Sequence, residues 1–587
     1  MSKLPNHGIY LSQCKETQRE KSITMITQPT IPNFSYPFKK IKNLEECFSH
    51  LGHVEAGNYL FNAQGLWHGG VHFYDAALNG AEGDIKPIVC IADGELVAYR
   101  INAELIEDDQ GVKYSSGFFL VRHILEYPIA NKLTLFSLYM HTAPKSSYNF
   151  QTQAPTILTS QSPTDSIEIL SPAVQVKAGD ILGMVGEYNT PSSTHRKVLH
   201  LELFSGDDIQ AFAQKAQEAY QETNATQILS PTSLLIPSGT LLYTQETHEV
   251  YKVIESVTHT NLRKAYAQSE EGYNFIYEAT KGTLLEIDEN TLSHGRYKVL
   301  KIADADVSSQ NYTVHKDYIT PTSYETYIPS QTITNKERLL LIEKTKPRYK
   351  DREAKEYFKL DEYYIALEET TPNHGITFKW AKIFDTQSSD DASIFTNFLE
   401  YFKEEIIPQE LKLSPLHKEL FEAIDKDHNG MLEYPLEIKN AAKDKDIKKL
   451  TSHYIVQHAS EWGDTLQAFW NQMQTHLDTK VQQAQTEEAK EQHQTNAEHM
   501  RNQRARAQKL KFFSECSSIE NFPSSDIVYF LHPIRAIGEM GRGQLITKEM
   551  LNAICTNAST NQELLDALNK YCPQYEINTP LRIAHFL

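Results

Sequence analysis

The chain has 587 residues, 40% hydrophobic and 23% charged. That balance excludes wholesale disorder and, at roughly 150 residues per domain, predicts about three or four domains. The formal charge of -19, from 57 basic and 76 acidic residues, opposes a broad electrostatic footprint on nucleic acid or anionic membrane. No run approaches the ~18 apolar residues that span a bilayer, the N-terminus carries no apolar core of a secretory signal, and six cysteines make no disulfide framework.

In chain order, residues 1–45 are polar and punctuated by Pro29, Pro32 and Pro37, and they predict an extended arm. Residues 46–235 are strand-rich: 86–101, 115–125, 133–141, 174–186 and 197–204 are β-branched or aromatic runs broken by turns. Residues 142–172 are rich in Ser, Thr, Gln and Pro and predict a surface insertion, and 206–222 predict a helix. A second β-rich stretch over 236–345 has short strands at the spacing of a small barrel. Its "KGT" turn and late "YTV…DYI" strand resemble a bacterial SH3-like domain. Residues 346–410 are mixed. From 411 the pattern is helical, with an EF-hand-like segment over 411–475 and a connector over 476–512. The connector lacks sustained apolar heptads, which predicts a solvated helix and not a coiled coil.

The sharpest chemical signal is a set of histidines in the first β-rich region. GLWHGGVHFYDAA carries His68 and His72, LYMH carries His141, and VLHLELF carries His200. Zinc takes three or four His, Asp, Glu or Cys ligands and keeps an open position when catalytic. On a straight strand His68 and His72 would share a face but lie roughly 13 Å apart. Gly69–Gly70 between them permits the curl that one metal needs. Alternation in 198–202 puts His200, Glu202 and Val198 on one face. The same parity favours His72 over Asp75 as a ligand, and His123 reads as structural.

These residues resemble the LytM/lysostaphin-like zinc peptidases of bacterial cell-wall degradation. That family carries H-x-G-x-D, then Y-x-H, then H-x-H-F-E after a V-x-x-G-x-x-I-G-x-x-G stretch. His68–His72 fits the first with His in place of Asp. Tyr139–His141 fits the second. Val198–Glu202 fits the last with Val in place of its first His, and Gly179, Gly183 and Gly186 fit the approach to it. The resemblance implies zinc held by His68, His72 and His200, with His141 as general base or oxyanion stabiliser. A third His in place of Asp adds one unit of positive charge and should acidify a bound water. Val198 removes the second catalytic His of the family, and His195 is the residue near enough in sequence to replace it.

Two weaker signals follow. AIDKDHNGMLEY resembles an EF-hand loop with Asp425, Asp427 and Asn429 as calcium ligands and Gly430 at the turn. Leu436 stands where the bidentate Glu belongs, and Glu437 follows it. The alternative is a helix–loop–helix held without calcium. SEW (460–462) and YFLHPIRAIGEMG (529–541) accompany such segments in some wall-degrading effectors, with His532 read as packing. Residues 546–587 resemble the opening of family 19 glycoside hydrolases, and the pattern predicts continuation beyond Leu587 toward the catalytic Glu of that family. Cys555 and Cys572 in this segment are either a pair or buried free thiols.

The expected fold class is multidomain α+β. An N-terminal antiparallel β domain like LytM (46–235) precedes an SH3-like β domain (236–345), and a C-terminal helical region leads into a lysozyme-like start (513–587). The resemblances imply one substrate, peptidoglycan, and an antibacterial type VI secretion effector made in the cytoplasm without a Sec signal and acting in the periplasm of target bacteria. They also imply an immunity protein and a spike protein or chaperone as partners. Nucleic acid and membrane insertion are not expected. The alternative is a non-catalytic wall-binding or carrier module for a downstream lysozyme domain.

Overall fold

The computed structural model describes residues 30–51, 58–61, 67–74, 87–148, 165–189, 196–222, 231–254, 260–264, 274–310, 312–342, 348–385, 415–430 and 436–541. The Asp75 and His195 alternatives, the Cys555–Cys572 question and the family 19 resemblance over 546–587 lie outside them. The chain divides into two compact units, one of residues 1–232 with 374–587 and the other Ser233–Asn373.

The first unit is built on one large sheet. Its strands run in the order Glu168–Val176, Gly94–Arg100, Gly117–Glu126, Lys132–Thr142, Lys197–Ser205, Ile527–Leu531, Tyr454–Ala459 and Lys382–Phe384. Neighbours are antiparallel except the last two, which run parallel. Strand Lys132–Thr142 flanks Lys197–Ser205 on one side. The other side is shared, with Gly70–Tyr74 facing residues 198–202 and Ile527–Leu531 facing 203–205. Strand Lys197–Ser205 is enclosed on both faces and buried along almost its whole length. That burial suits its run of Val, Leu and Phe.

The C-terminal region, expected to be helical, contributes strands as well. Tyr454–Ala459 and Ile527–Leu531 extend the sheet begun by the N-terminal residues. The helix Glu487–Leu510, expected to be solvated, buries Ala497, Arg506 and Leu510. Arg506 pairs with Asp108 at 2.6 Å and lies over the rings of Tyr114 and Tyr188. A long cationic side chain that counts as polar in a pattern is here an anchor. His532 caps the helix Pro533–Met540 by accepting from the Arg535 amide, a packing role.

The second unit is antiparallel throughout. A long ladder joins Leu241–Val253 to Ile319–Ile333. One apolar cluster gathers Val253, Leu285, Val299 and Val314. Another gathers Leu234, Ile236, Phe358 and Ile365, so part of the stretch read as mixed (346–373) completes this unit.

Candidate metal centre

The strand carrying the first two histidines breaks at Gly69. Trp67–His68 pairs with Leu60–Phe61, whereas Gly70–Tyr74 pairs with Lys197–Ser205. This break brings His68 Nε2 to 3.3 Å from His72 Nε2 instead of a full strand spacing away. His72 and His200 are direct partners on the antiparallel ladder, and direct partners project from one face. His72 Nε2 lies 2.9 Å from His200 Nδ1. The structure therefore brings His68, His72 and His200 together, with one ligand atom of each within 4.8 Å of the others. A Cβ on Gly70 would stand 2.8 Å from His200 Nε2 and 2.7 Å from Glu202 Cγ, so glycine keeps this space open.

Hydrogen bonds fix two of the three rings. His68 Nδ1 is 2.9 Å from the Gly70 carbonyl oxygen and must donate to it. His200 Nε2 donates to Glu202 Oε1 at 2.7 Å. The remaining nitrogens, His68 Nε2 and His200 Nδ1, therefore present lone pairs toward His72 Nε2. One proton on His72 Nε2 can serve only one of them, whereas one cation can serve all three. Among the described residues His72 Nδ1 has no hydrogen-bond partner. Three inward imidazole nitrogens, two of them backed by a carbonyl and a carboxylate, form a donor set that fits zinc.

Burial keeps the rings neutral, the form that binds metal. It pushes His200 down to about 3, and it lowers His68 and His72 well below the usual histidine value, with the neighbouring imidazoles adding to the effect.

His141 reaches the site by an irregularity. Gly117 pairs with Thr142 but Phe118 with Met140, so His141 is the extra residue of a β-bulge. Its φ of 63° is left-handed. Met140 is the direct partner of His200, and regular alternation would turn His141 to the opposite face. The bulge re-aims it. Its ring centroid lies 6.1 Å from that of His200 and 6.4 Å from that of His72. His141 Nδ1 donates to the Ser115 carbonyl at 3.1 Å, which leaves Nε2 as the basic nitrogen. Burial, followed by the neighbouring His200 imidazole, pushes His141 down to about 3. Tyr188 packs on this ring at 4.2 Å and connects it to Arg506.

Val198, standing where the family resemblance expects a second catalytic His, is buried opposite Tyr74. Arg196 lies over the Tyr74 ring and bonds its hydroxyl. His123 is buried between the Asp93 carbonyl and the Ser137 hydroxyl, away from the cluster.

Two site residues come from far along the chain. Trp462 Nε1 donates to Glu202 Oε1 at 2.8 Å, and its indole stands edge-on to His200. Glu461 Oε1 accepts from the Gly69 amide at 3.2 Å. The SEW segment contains both residues, but nothing in its spacing tied it to His200. Burial holds Glu202 and Glu461 above the usual carboxylate range, and the charge of Glu202 raises Glu461 further.

At the EF-hand-like loop, Asp425, Asp427 and Glu437 converge, Glu437 being the carboxylate that follows Leu436. The Asn429 side-chain nitrogen donates to Asp427 Oδ2 at 3.0 Å. Gly430 has the left-handed φ of 78° that the turn needs.

No protein-family model and no curated protein matches the chain. Among solved structures, the NMR solution structure of lysostaphin aligns at 14% identity over 48% of this chain and 100% of that one. Its TM-score of 0.13 is too low to carry an argument about fold or function.

Proposed function

We propose that the first unit is a zinc-dependent hydrolase that cleaves an amide bond of peptidoglycan. The observation that supports this reading best is the set of lone pairs from His68, His72 and His200 converging on one point while Glu202 and the Gly70 carbonyl hold the outer nitrogens. Zinc bound there would polarise the amide carbonyl and make water a better nucleophile. His141, its tautomer set by Ser115 and its basicity lowered by burial, is placed to take at Nε2 the proton of a water that bound zinc would acidify, and to deliver it to the departing amine as the C–N bond breaks. Glu202 keeps His200 oriented throughout. The wall as substrate, the type VI route of delivery, and the immunity and spike or chaperone partners rest on the family resemblance of the motifs. Among the described residues no helix is long and apolar enough to cross a membrane.

Buried Val198 favours a second reading, in which the centre is structural and the unit carries or positions a downstream lysozyme domain. Elemental analysis tests the centre itself. One zinc per chain is expected in the wild type, with strong loss in His200→Ala. Equal zinc in both would remove the basis of the hydrolase reading.

A further inference from the structure

We propose that Glu461 and Trp462 are positioning residues of the metal centre, so that the histidines are held in place by a segment that lies 260 residues beyond Glu202 in sequence. The inference rests on the metal reading above and extends it to residues outside the histidine motifs.

Glu202 Oε1 is the shared acceptor of two donors, His200 Nε2 at 2.7 Å and Trp462 Nε1 at 2.8 Å. The indole therefore fixes the carboxylate oxygen that fixes the ring of His200. A carboxylate behind a ligating histidine sets both tautomer and orientation, and a second donor removes the rotational freedom such a carboxylate would otherwise keep. Glu461 acts on a second ligand. It accepts the amide of Gly69, the residue at which the strand breaks to bring His68 back toward His72. The two neighbours hold two different ligands, His200 through Glu202 and His68 through Gly69.

The segment itself is well anchored. Strand Tyr454–Ala459 pairs with Ile527–Leu531, which pairs with Lys197–Ser205, the strand of His200. His458 stacks on Trp67, next to His68, at 4.2 Å between ring centroids. Ser460 Oγ accepts the Trp462 amide and so holds the turn that presents the indole. Neither Glu461 nor Trp462 belongs to the three-histidine set, although the Glu461 carboxylate lies within 4.8 Å of His200 and Glu202; the pair bonds to Gly69 and Glu202.

The test uses the full chain with zinc and, separately, cobalt(II) as the probe. Trp462→Phe keeps the ring and removes the donor. It should weaken zinc binding about tenfold to a hundredfold, the range typical of outer partners of metal-bound histidine. It should also shift the visible absorption of the cobalt form, while the melting temperature of the metal-free chain stays near wild type. Glu461→Ala should weaken zinc similarly, and Glu461→Gln, which retains an acceptor for the Gly69 amide, should restore it. Wild-type zinc affinity with an unchanged cobalt spectrum in Trp462→Phe would overturn the proposal. If that variant does not fold, equal affinity in Glu461→Ala and wild type would overturn it instead. A wild type that takes up no zinc would defeat the metal reading itself, and this inference with it. Tight zinc binding in both wild type and variants would defeat this inference alone.

Discussion

His72 and His200 face each other directly across one antiparallel ladder, with His72 Nε2 2.9 Å from His200 Nδ1. The pairing depends on Gly70, the direct partner of Glu202 on the same ladder. A methyl group at Gly70 would also stand 2.6 Å from the Leu201 carbonyl oxygen, a backbone atom that cannot move aside cheaply. Gly70→Ala should therefore cost about 1–3 kcal/mol of stability, as overpacking does, and should displace His200 enough to weaken zinc binding. Urea unfolding of the metal-free chain and zinc competition against a chelator measure the two effects. Wild-type values for both would show that the ladder tolerates the extra carbon.

If the first unit is the proposed hydrolase, His141 carries the proton transfer without holding the metal. Its replacement by Ala should lower wall cleavage by about 10²–10⁴, the usual contribution of a general acid–base group. Zinc content should be unchanged, because His141 lies outside the three-histidine set. Turnover and zinc content of the same preparation decide this. Undiminished cleavage would move the role to another residue.

Much of the clustering of His68, His72 and His200 is legible in the sequence. The glycine pair between His68 and His72, and the alternation through His200 and Glu202, give the geometry that the ladder displays. The bulge at His141 was not legible, because strand parity is a rule for unbroken strands and one extra residue reverses it. Nor were Glu461 and Trp462. Local patterns carry no record of a partner some 260 residues away. The short runs YIVQHA and IVYFL lie among helical patterns, so their pairing with the N-terminal sheet is set by tertiary context. Arg506 misled for a different reason: hydrophobic periodicity scores it as surface, yet it is 2% exposed.

Buried neutral histidines away from the three-histidine cluster should make the first unit sensitive to acid. Burial pushes His123 and His453 down to about 4 and His532 to about 3, the last two helped by the charge of Arg535. The unfolded chain binds these protons first on acidification. The stability they confer is thus complete above the ordinary value of 6.5 and is lost as pH falls toward the folded values. At about 1.4 kcal/mol per pKa unit, His123 alone accounts for roughly 3 kcal/mol. The raised carboxyls of Glu202 and Glu461 act in the opposite sense, losing stability as pH rises, so the informative quantity is a difference between variants. Melting temperature between about pH 7 and about pH 4.5 should fall less steeply in His123→Gln than in wild type. Identical slopes would mean that His123 does not titrate as its burial requires.

If peptidoglycan is the substrate, location decides toxicity. The chain fused to a Sec signal should lyse or round Gram-negative cells, and the unfused chain should not. Viable counts and microscopy after induction separate the cases. Equal toxicity from the cytoplasm would point to a different target.

The most direct measurement is the mass of what the zinc-loaded chain releases from purified peptidoglycan. Fragments that have gained one water across an amide are expected, either a free stem peptide or an opened crosslink. None should appear with His200→Ala or after chelation. A wild-type chain holding one zinc that releases no such fragment from any peptidoglycan would rule out the hydrolase and leave the structural role of the centre in its place.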